Sequence, residues 1–465
     1  MLRRLRTAAR SIAGAAPYVG FVLAIAFLSF IAGTFVMHAG AFPSRHLSDA
    51  YRGGLALFEQ RTRYDNPYPQ ELWQPARTQA RGVTVHDPKR AHEGLTLYTS
   101  GHAQRAFLVA MDGEVVHEWH LPFSAVWDET AAVRTPQPDA RVYFRKAHLY
   151  PNGDLLVIYE GIGDTPWGYG LVKLNKNSEV IWKYLQHVHH DLTVLPDGRI
   201  YTLTHEIGTD VIEDWLHLEP PRVDDFVVVL SPEGEELRKV SVLDALVDSP
   251  FARLLAGTPW YLMGFGDFLH TNAIDVIDRE AAERLPFASE GQVLVSIREL
   301  ATIAVLDLDK EEVTWAVRGP WIGQHDPDIL PNGHMLLFDN HGNFSGGGIS
   351  RVIEFDPSTL EIVWTYAGDD RHRFESGLRS AQERLPNGNT LITESDGGRL
   401  FEVTRAGEIV WNFVNPVRGK REEDGQAVIP IVSWAERVDP KALDPQVLEV
   451  PPQVTNVQAG EEPSG

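Results

Sequence analysis

A short turn motif, aromatic or Leu followed by Pro, Asn or Asp, and Gly, recurs at 150–153, 195–198, 330–333 and 385–388. Each copy lies between two short apolar runs, the signature of a β-hairpin with a tight turn. A second unit follows each hairpin and ends in a turn and an extended run, as in "GLVKLNKNSEVIWKY" and "SRVIEFDPSTLEIVWTY". Trp119, Trp182, Trp315, Trp364 and Trp411 mark five such ends, while the copy at 231–242 lacks the Trp. Four strands recurring at roughly 45- to 55-residue intervals are the blades of a β-propeller. A β-sandwich would not reuse one turn motif at that spacing.

Counting units gives six blades. Residues 94–121 supply three strands without an opening hairpin strand, and "SWAERVDP" at 433–440 reads like "SAQERLPN" at 380–387. The expected fold is therefore an all-β six-bladed β-propeller over 94–437, closed by a C-terminal strand. Closure removes the exposed sheet edges that invite aggregation. The Pro- and Glu-rich residues 438–465 read as a mobile tail.

The N-terminus carries four arginines in its first ten residues and then an uncharged run from Pro17 to Met37. That run is long enough to span a hydrocarbon core of ~30 Å. It exceeds the usual apolar core of a cleaved signal, which favours an uncleaved transmembrane helix over 17–37. Residues 1–16 are then a cytoplasmic basic segment, and the propeller lies on the periplasmic side of the inner membrane, after a stalk over 38–93 with a helix around 46–62. Residues 243–267 interrupt the repeat with a helical pattern and aromatics, either a lid or a packed loop. The net charge of −22 argues against a nucleic-acid partner, and the absence of cysteine excludes thiolate metal sites.

Chemistry gathers where the hairpins open. Counting outward from a two-residue turn sets His325 opposite Asn340, His190 opposite His205, Arg145 opposite Glu160, and Ser380 opposite Ser395. The first strands of propeller blades run alike through the ring. Arg145, His190, His270, His325, Ser380 and Ser433 should therefore share one rim, with Arg298, Asn340 and His341 from adjoining strand ends. His187, His189 and His190 sit close in sequence, but strand alternation sends neighbours to opposite faces and argues against one metal cluster. Arginines can bind a sulfate or phosphate ester, with Asn272 donating another hydrogen bond. A neutral imidazole can serve as nucleophile or base and a second can protonate the leaving oxygen. Trp167, Trp260 and Tyr261 are candidates for holding a phenyl ring.

"HHDLTVLPDG", "DFLHTNAIDV…SIREL", "GQHDPDILPNGHMLLFDN" and "LPNGNTLITESDGGRLFEV" resemble the bacterial aryl sulfate sulfotransferases over about 94–436. The resemblance implies transfer of a sulfuryl group from an aryl sulfate donor to a phenolic acceptor, by a ping-pong reaction through a sulfated histidine and without a nucleotide donor, cofactor or metal. By that likeness His325 resembles the nucleophile, His270 and Arg298 with Asn272 the sulfuryl-binding groups, and His190 the proton-transfer histidine, with His189 the fallback. Arg145, His205, Asn340 and His341 are added from the hairpin count. The periplasmic enzymes usually carry a separate N-terminal β domain and a disulfide, whereas here a membrane anchor and a short stalk are expected and there is no cysteine. Two other classes compete: a metal-dependent propeller hydrolase with zinc or iron on three histidines, and a non-catalytic ligand-binding or interaction propeller.

Overall fold

The computed structural model describes residues 2–44, 46, 47, 50, 71–258, 266–340, 350–369, 372–421 and 424–448. It divides into two compact units, Met1–Pro67 and Tyr68–Gly465. The first contains a 37-residue helix, Leu2–His38. Its segment Gly20–His38 is long and apolar enough to cross a membrane, and side chains such as Phe21, Leu28 and Phe35 are exposed along it. Most of the helix expected around 46–62, and residues 449–465 of the expected tail, lie outside the described residues. The first part of the 438–465 tail is instead packed, a 3-10 turn at Pro440–Ala442 and a short helix at Pro445–Leu448 with Leu443 and Val447 buried.

The second unit is all-β, with seven antiparallel sheets among the described residues. Four of them are consecutive four-stranded meanders, opening with Val142–Leu149, Val188–Val194, Thr271–Val276 and His325–Ile329. A fifth opens with Ala381–Arg384 and carries an extra edge strand, Gly82–His86, beside Ile409–Val414. In a sixth, Val432–Val438 pairs with Leu95–Ser100, which continues through Arg105–Val109 to Val115–His120. The seventh is small: Trp73–Pro75, Ala427–Pro430 and Gly419–Lys420. Residues 73–75 and 82–86, grouped with the stalk by the sequence, are thus strands, and the compact unit begins at Tyr68 rather than at 94. Both strands are short and carry no copy of the repeat, so periodicity could not reveal them.

Apolar side chains on both faces explain why strands such as Val293–Ile297 are buried along their whole length. The core is divided into clusters between consecutive sheets. One joins Leu97 and Leu108 to Val157 and Val172, and another joins Leu156 and Ile158 to Ile200 and Val228. The series continues to a cluster uniting Leu391 and Leu400 with Tyr98 and Phe107. Four of the repeat tryptophans strap their sheet to the next. The indole N–H of Trp119 donates to the Gly153 carbonyl at 3.1 Å, Trp182 to Pro232 at 3.1 Å, Trp364 to Arg405 at 2.9 Å and Trp411 to Met111 at 2.8 Å. Every acceptor lies in a turn of the neighbouring sheet. Trp315 instead stacks on Phe287.

The first strands touch in succession, and Val432–Val438 touches both Ala381–Arg384 and Val142–Leu149. Between sheets, residues 242–258 pack as a short helix, Val242–Val247, and a 3-10 turn, Ala252–Gly257. Val242, Leu246 and Leu255 are buried in the adjacent cluster, so this part of the insertion is packed; 259–265, with Trp260 and Tyr261, lie outside the described residues.

The hairpin register differs from the count made on two-residue turns. Leu330 N–H donates to the His334 carbonyl at 2.9 Å and Gly333 N–H to Leu330 at 2.8 Å, so the loop has three residues. Gly333, at φ 85°, closes it in the left-handed region. That shifts each pairing by one. Irregular pairing shifts it further between Phe144 and Ala147, His189 and Leu192, Thr271 and Ala273, His325 and Asp328, and Val432 and Trp434. The Cα partners are accordingly His325 with Phe338 and Tyr143 with Glu160, while His190 is bulged out between paired residues. Ser380 and Ser395 still exchange backbone-to-hydroxyl hydrogen bonds at 3.0 and 3.2 Å.

Candidate active site

The bulges lie where the first strands begin, and they re-aim side chains that regular alternation would separate. His190, His270 and Asp326 have positive φ values of 57°, 50° and 54°. Such conformations are costly for residues with a Cβ and cluster at functional positions.

His325 is buried, with only 3% of its surface exposed. Its Nδ1 lies 3.0 Å from the Gly323 carbonyl and 2.8 Å from Asn340 Oδ1. Asn340 is itself oriented, because its amide nitrogen donates to the carbonyls of Ser376 and Arg379, both at 2.9 Å. Two acceptors at Nδ1 fix the proton there. Nε2 therefore carries the lone pair, and it makes no hydrogen bond among the described residues. Burial, then Arg298 and Arg145, hold the His325 pKa well below the ordinary imidazole value.

His190 lies beside it, and His270 lies beside His190. The His190 ring centroid is 6.4 Å from that of His325 and 4.9 Å from that of His270. Burial, then His270 and His189, keep His190 neutral well below its usual range. His270 behaves oppositely. Burial pulls its pKa down, but the Asp267 carboxylate, whose Oδ2 lies 2.5 Å from Nδ1, outweighs burial and raises it. Trp167 stacks on His270 with ring centroids 4.9 Å apart and stands edge-on to His205 at 4.5 Å.

Arg298 and Arg145 are buried and complete the positive wall. Arg298 is held by Glu299, and its Nε has no hydrogen-bond partner among the described residues. Arg145 Nη1 donates to the Ser433 carbonyl at 3.0 Å, and its Nε lies 3.9 Å from Glu160. Glu160 also accepts the His190 backbone N–H at 2.7 Å and the Tyr143 hydroxyl at 2.6 Å, so one carboxylate braces the strained histidine and the guanidinium together. Asn272 donates to the Gln324 carbonyl at 2.7 Å. Its amide thus fixes the backbone immediately before His325.

A second layer lies behind His190. His189 Nδ1 is 2.7 Å from His190 Nδ1, so the two neighbours share one site. The expectation that alternation separates them fails because His190 is bulged out of the strand. His189 stacks on His205, with ring centroids 4.0 Å apart and planes 10° from parallel. Asp225 Oδ1 lies 3.6 Å from His189 Nε2 and 3.8 Å from His205 Nδ1. His189, His205 and Asp225 offer ligand atoms within 4.8 Å of one another, close enough for one metal ion. The hydrogen bonding opposes that use. His205 Nε2 accepts the Gly168 N–H at 3.2 Å, which leaves the His205 proton on the Nδ1 that faces Asp225.

The structure thus brings together His325, His190, His270, Arg298, Arg145, Asn272, Asn340 and His205, with His205 in the rear layer. His341 lies outside the described residues. Ser380 and Ser433 are spent on backbone bonds, Ser433 Oγ donating to the Phe144 carbonyl at 2.8 Å. Asp225, Asp267 and Glu160 were not singled out as site groups. The spacing of three to His270 is a local signal for Asp267, and the hairpin count that set Arg145 opposite Glu160 is one for Glu160; Asp225 has neither.

The family described as Arylsulfotransferase (ASST) matches residues 146–416. No curated protein matches the chain. Among solved structures, a protein of unknown function from Bacteroides caccae is 13% identical, with 73% of this chain and 99% of that chain covered and a TM-score of 0.45. A virginiamycin B lyase from Staphylococcus aureus is 12% identical, covering 78% of this chain and 98% of its own, with a TM-score of 0.39. The WD40 β-propeller domain of Doa1 is 11% identical over 78% of this chain and 94% of its own, with a TM-score of 0.37.

Proposed function

Since the chain belongs to the arylsulfotransferase family, we propose that it moves a sulfuryl group from an aryl sulfate to a phenol in two half-reactions. His325 Nε2 attacks sulfur; the N–S bond forms as the S–O bond breaks, and the phenolate leaves with a proton from His190. The acceptor phenol then gives its proton back to His190 while its oxygen attacks sulfur and the N–S bond breaks. Protonated His270, Arg298 and Arg145 bind the sulfuryl oxygens, and Trp167 offers an aromatic face to the donor ring. The observation that carries this reading is the pinned Nδ1 of His325, which leaves an unprotonated Nε2 on a buried ring beside His190 and under the influence of Arg298 and Arg145.

We read the six sheets that open on mutually touching strands as blades of one ring, closed where Val432–Val438 joins Leu95–Ser100. The apolar helix is read as an uncleaved anchor that leaves the ring on the periplasmic face of the inner membrane. His341 keeps its proposed place among the donor-binding groups.

Incubation with an aryl sulfate and no acceptor is expected to leave a sulfuryl adduct on His325, found by peptide mass mapping and missing from His325→Ala. An unlabelled wild type, with transfer undiminished in the variant, would end the proposal.

A further inference from the structure

A histidine that must be acid in one half-reaction and base in the next needs somewhere to keep its proton. Behind His190 the structure holds three groups in line. His190 Nδ1 meets His189 Nδ1 at 2.7 Å, and His189 Nε2 faces Asp225 Oδ1 at 3.6 Å. All three residues are buried, and His189 Nε2 and Asp225 Oδ1 have no hydrogen-bond partner among the described residues. Asp225 Oδ2 is occupied by the Thr271 N–H at 2.6 Å, so Oδ1 is the oxygen left for a proton. The stack of His189 on His205 fixes the ring plane that aims Nε2 at it.

We propose that Asp225 and His189 form a proton relay behind His190, and that Asp225 stores the proton from which each turnover's leaving group is protonated. The inference rests on the sulfuryl-transfer reading. Before the first half-reaction Asp225 is a carboxylic acid, His189 carries its proton on Nδ1, and His190 carries its proton on Nε2. As the S–O bond breaks, the His190 Nε2 proton passes to the phenolate oxygen. The His189 Nδ1 proton moves to His190 Nδ1, and the Asp225 proton moves to His189 Nε2. The relay now ends in a carboxylate, and His190 Nε2 carries a lone pair for the acceptor phenol. Sulfuryl transfer to that phenol returns every proton to its starting atom. No charge accumulates on the buried imidazoles in either state.

The 3.6 Å separation is too long for a hydrogen bond and closes with a movement of roughly half an ångström or more; catalytic hydrogen bonds are often long before substrate binds. Burial, then Asp267, push Asp225 up to about 7, so both of its protonation states are available near neutrality. Asp225 and His189 touch no substrate and act through His190.

The test compares two donors, 4-nitrophenyl sulfate, whose leaving group needs no proton, and phenyl sulfate, whose leaving group does. Phenol release is followed by rapid quench without acceptor. In Asp225→Asn, the rate with 4-nitrophenyl sulfate is expected to stay within about threefold of wild type, and that with phenyl sulfate to fall roughly a hundredfold or more. His189→Gln breaks the same chain at its other link and should show the same split. A retained 4-nitrophenyl rate also certifies folding. Equal losses with both donors, or none with either, would overturn the relay. A wild type that releases no phenol from either donor would overturn the sulfuryl-transfer reading, and the relay with it.

Discussion

The lone pair of His325 is set by what lies behind its ring. Asn340→Ala removes one of the two acceptors at Nδ1, an interaction of about 1–2 kcal/mol, and should slow donor-only sulfation roughly five- to thirtyfold. Asn340→Asp keeps an acceptor but turns a second oxygen toward the Ser376 and Arg379 carbonyls that the amide nitrogen now serves, and should not recover the loss; a wild-type rate in Asn340→Ala would remove the tautomer argument. Because burial and two guanidiniums depress the His325 pKa, the 4-nitrophenyl sulfate burst should stay flat from pH 7 to about 5.5, where an ordinary imidazole at ~6.5 is mostly protonated. A fall centred near 6.5 would contradict it. His270 is raised instead. Asp267→Asn should therefore weaken donor binding several-fold near neutrality and leave the burst rate at saturation nearly unchanged. The repeat made His190, His270 and His325 legible as a set. Asp225 was not, because Arg222–Leu230 is a third strand with no repeat signal for a buried acid.

Hairpins and straps were legible to different depths. The Pro-Asn-Gly and Pro-Asp-Gly motifs located the turns, and their left-handed glycine encodes the three-residue loop, but the bulges that follow are held by tertiary contacts. Glu160, for example, takes the backbone N–H of His190 from a neighbouring sheet, and no local pattern encodes that. The tryptophans, by contrast, announced their packing role through spacing alone. Trp119 is fully buried and donates to the next sheet's turn. Trp119→Ala should cost about 3–5 kcal/mol. Trp119→Phe keeps much of the ring and loses the hydrogen bond, and should cost clearly less. Denaturant titration of the two variants checks this, and equal costs would mean the indole's bulk contributes nothing.

Across the whole molecule the charge of −22 surrounds a site built of arginines and histidines, so attraction of a sulfate ester depends on the local field and not on the net charge. The first strands also carry half-buried acids. Burial raises Asp275 and Asp326 to about 6, Glu383 to about 7 and, with Glu383 beside it, Glu436 to about 8. Their unfolded values lie near 4, so the folded chain binds more protons between pH 4 and 8. This contribution is complete below about pH 4 and is lost as pH climbs through 6 to 8. The melting temperature should accordingly drop over that interval, and Glu436→Gln should flatten its upper part; a rising profile would contradict the assignment. The central claim, that distant imidazoles meet around one sulfuryl group, is tested most directly by pulse and chase. The full chain is exposed to ³⁵S-labelled aryl sulfate, freed of donor, and given a phenol. The account predicts about one label per chain, on His325, discharged completely to the phenol. No retained label, or a label on another residue that the phenol discharges, would contradict it.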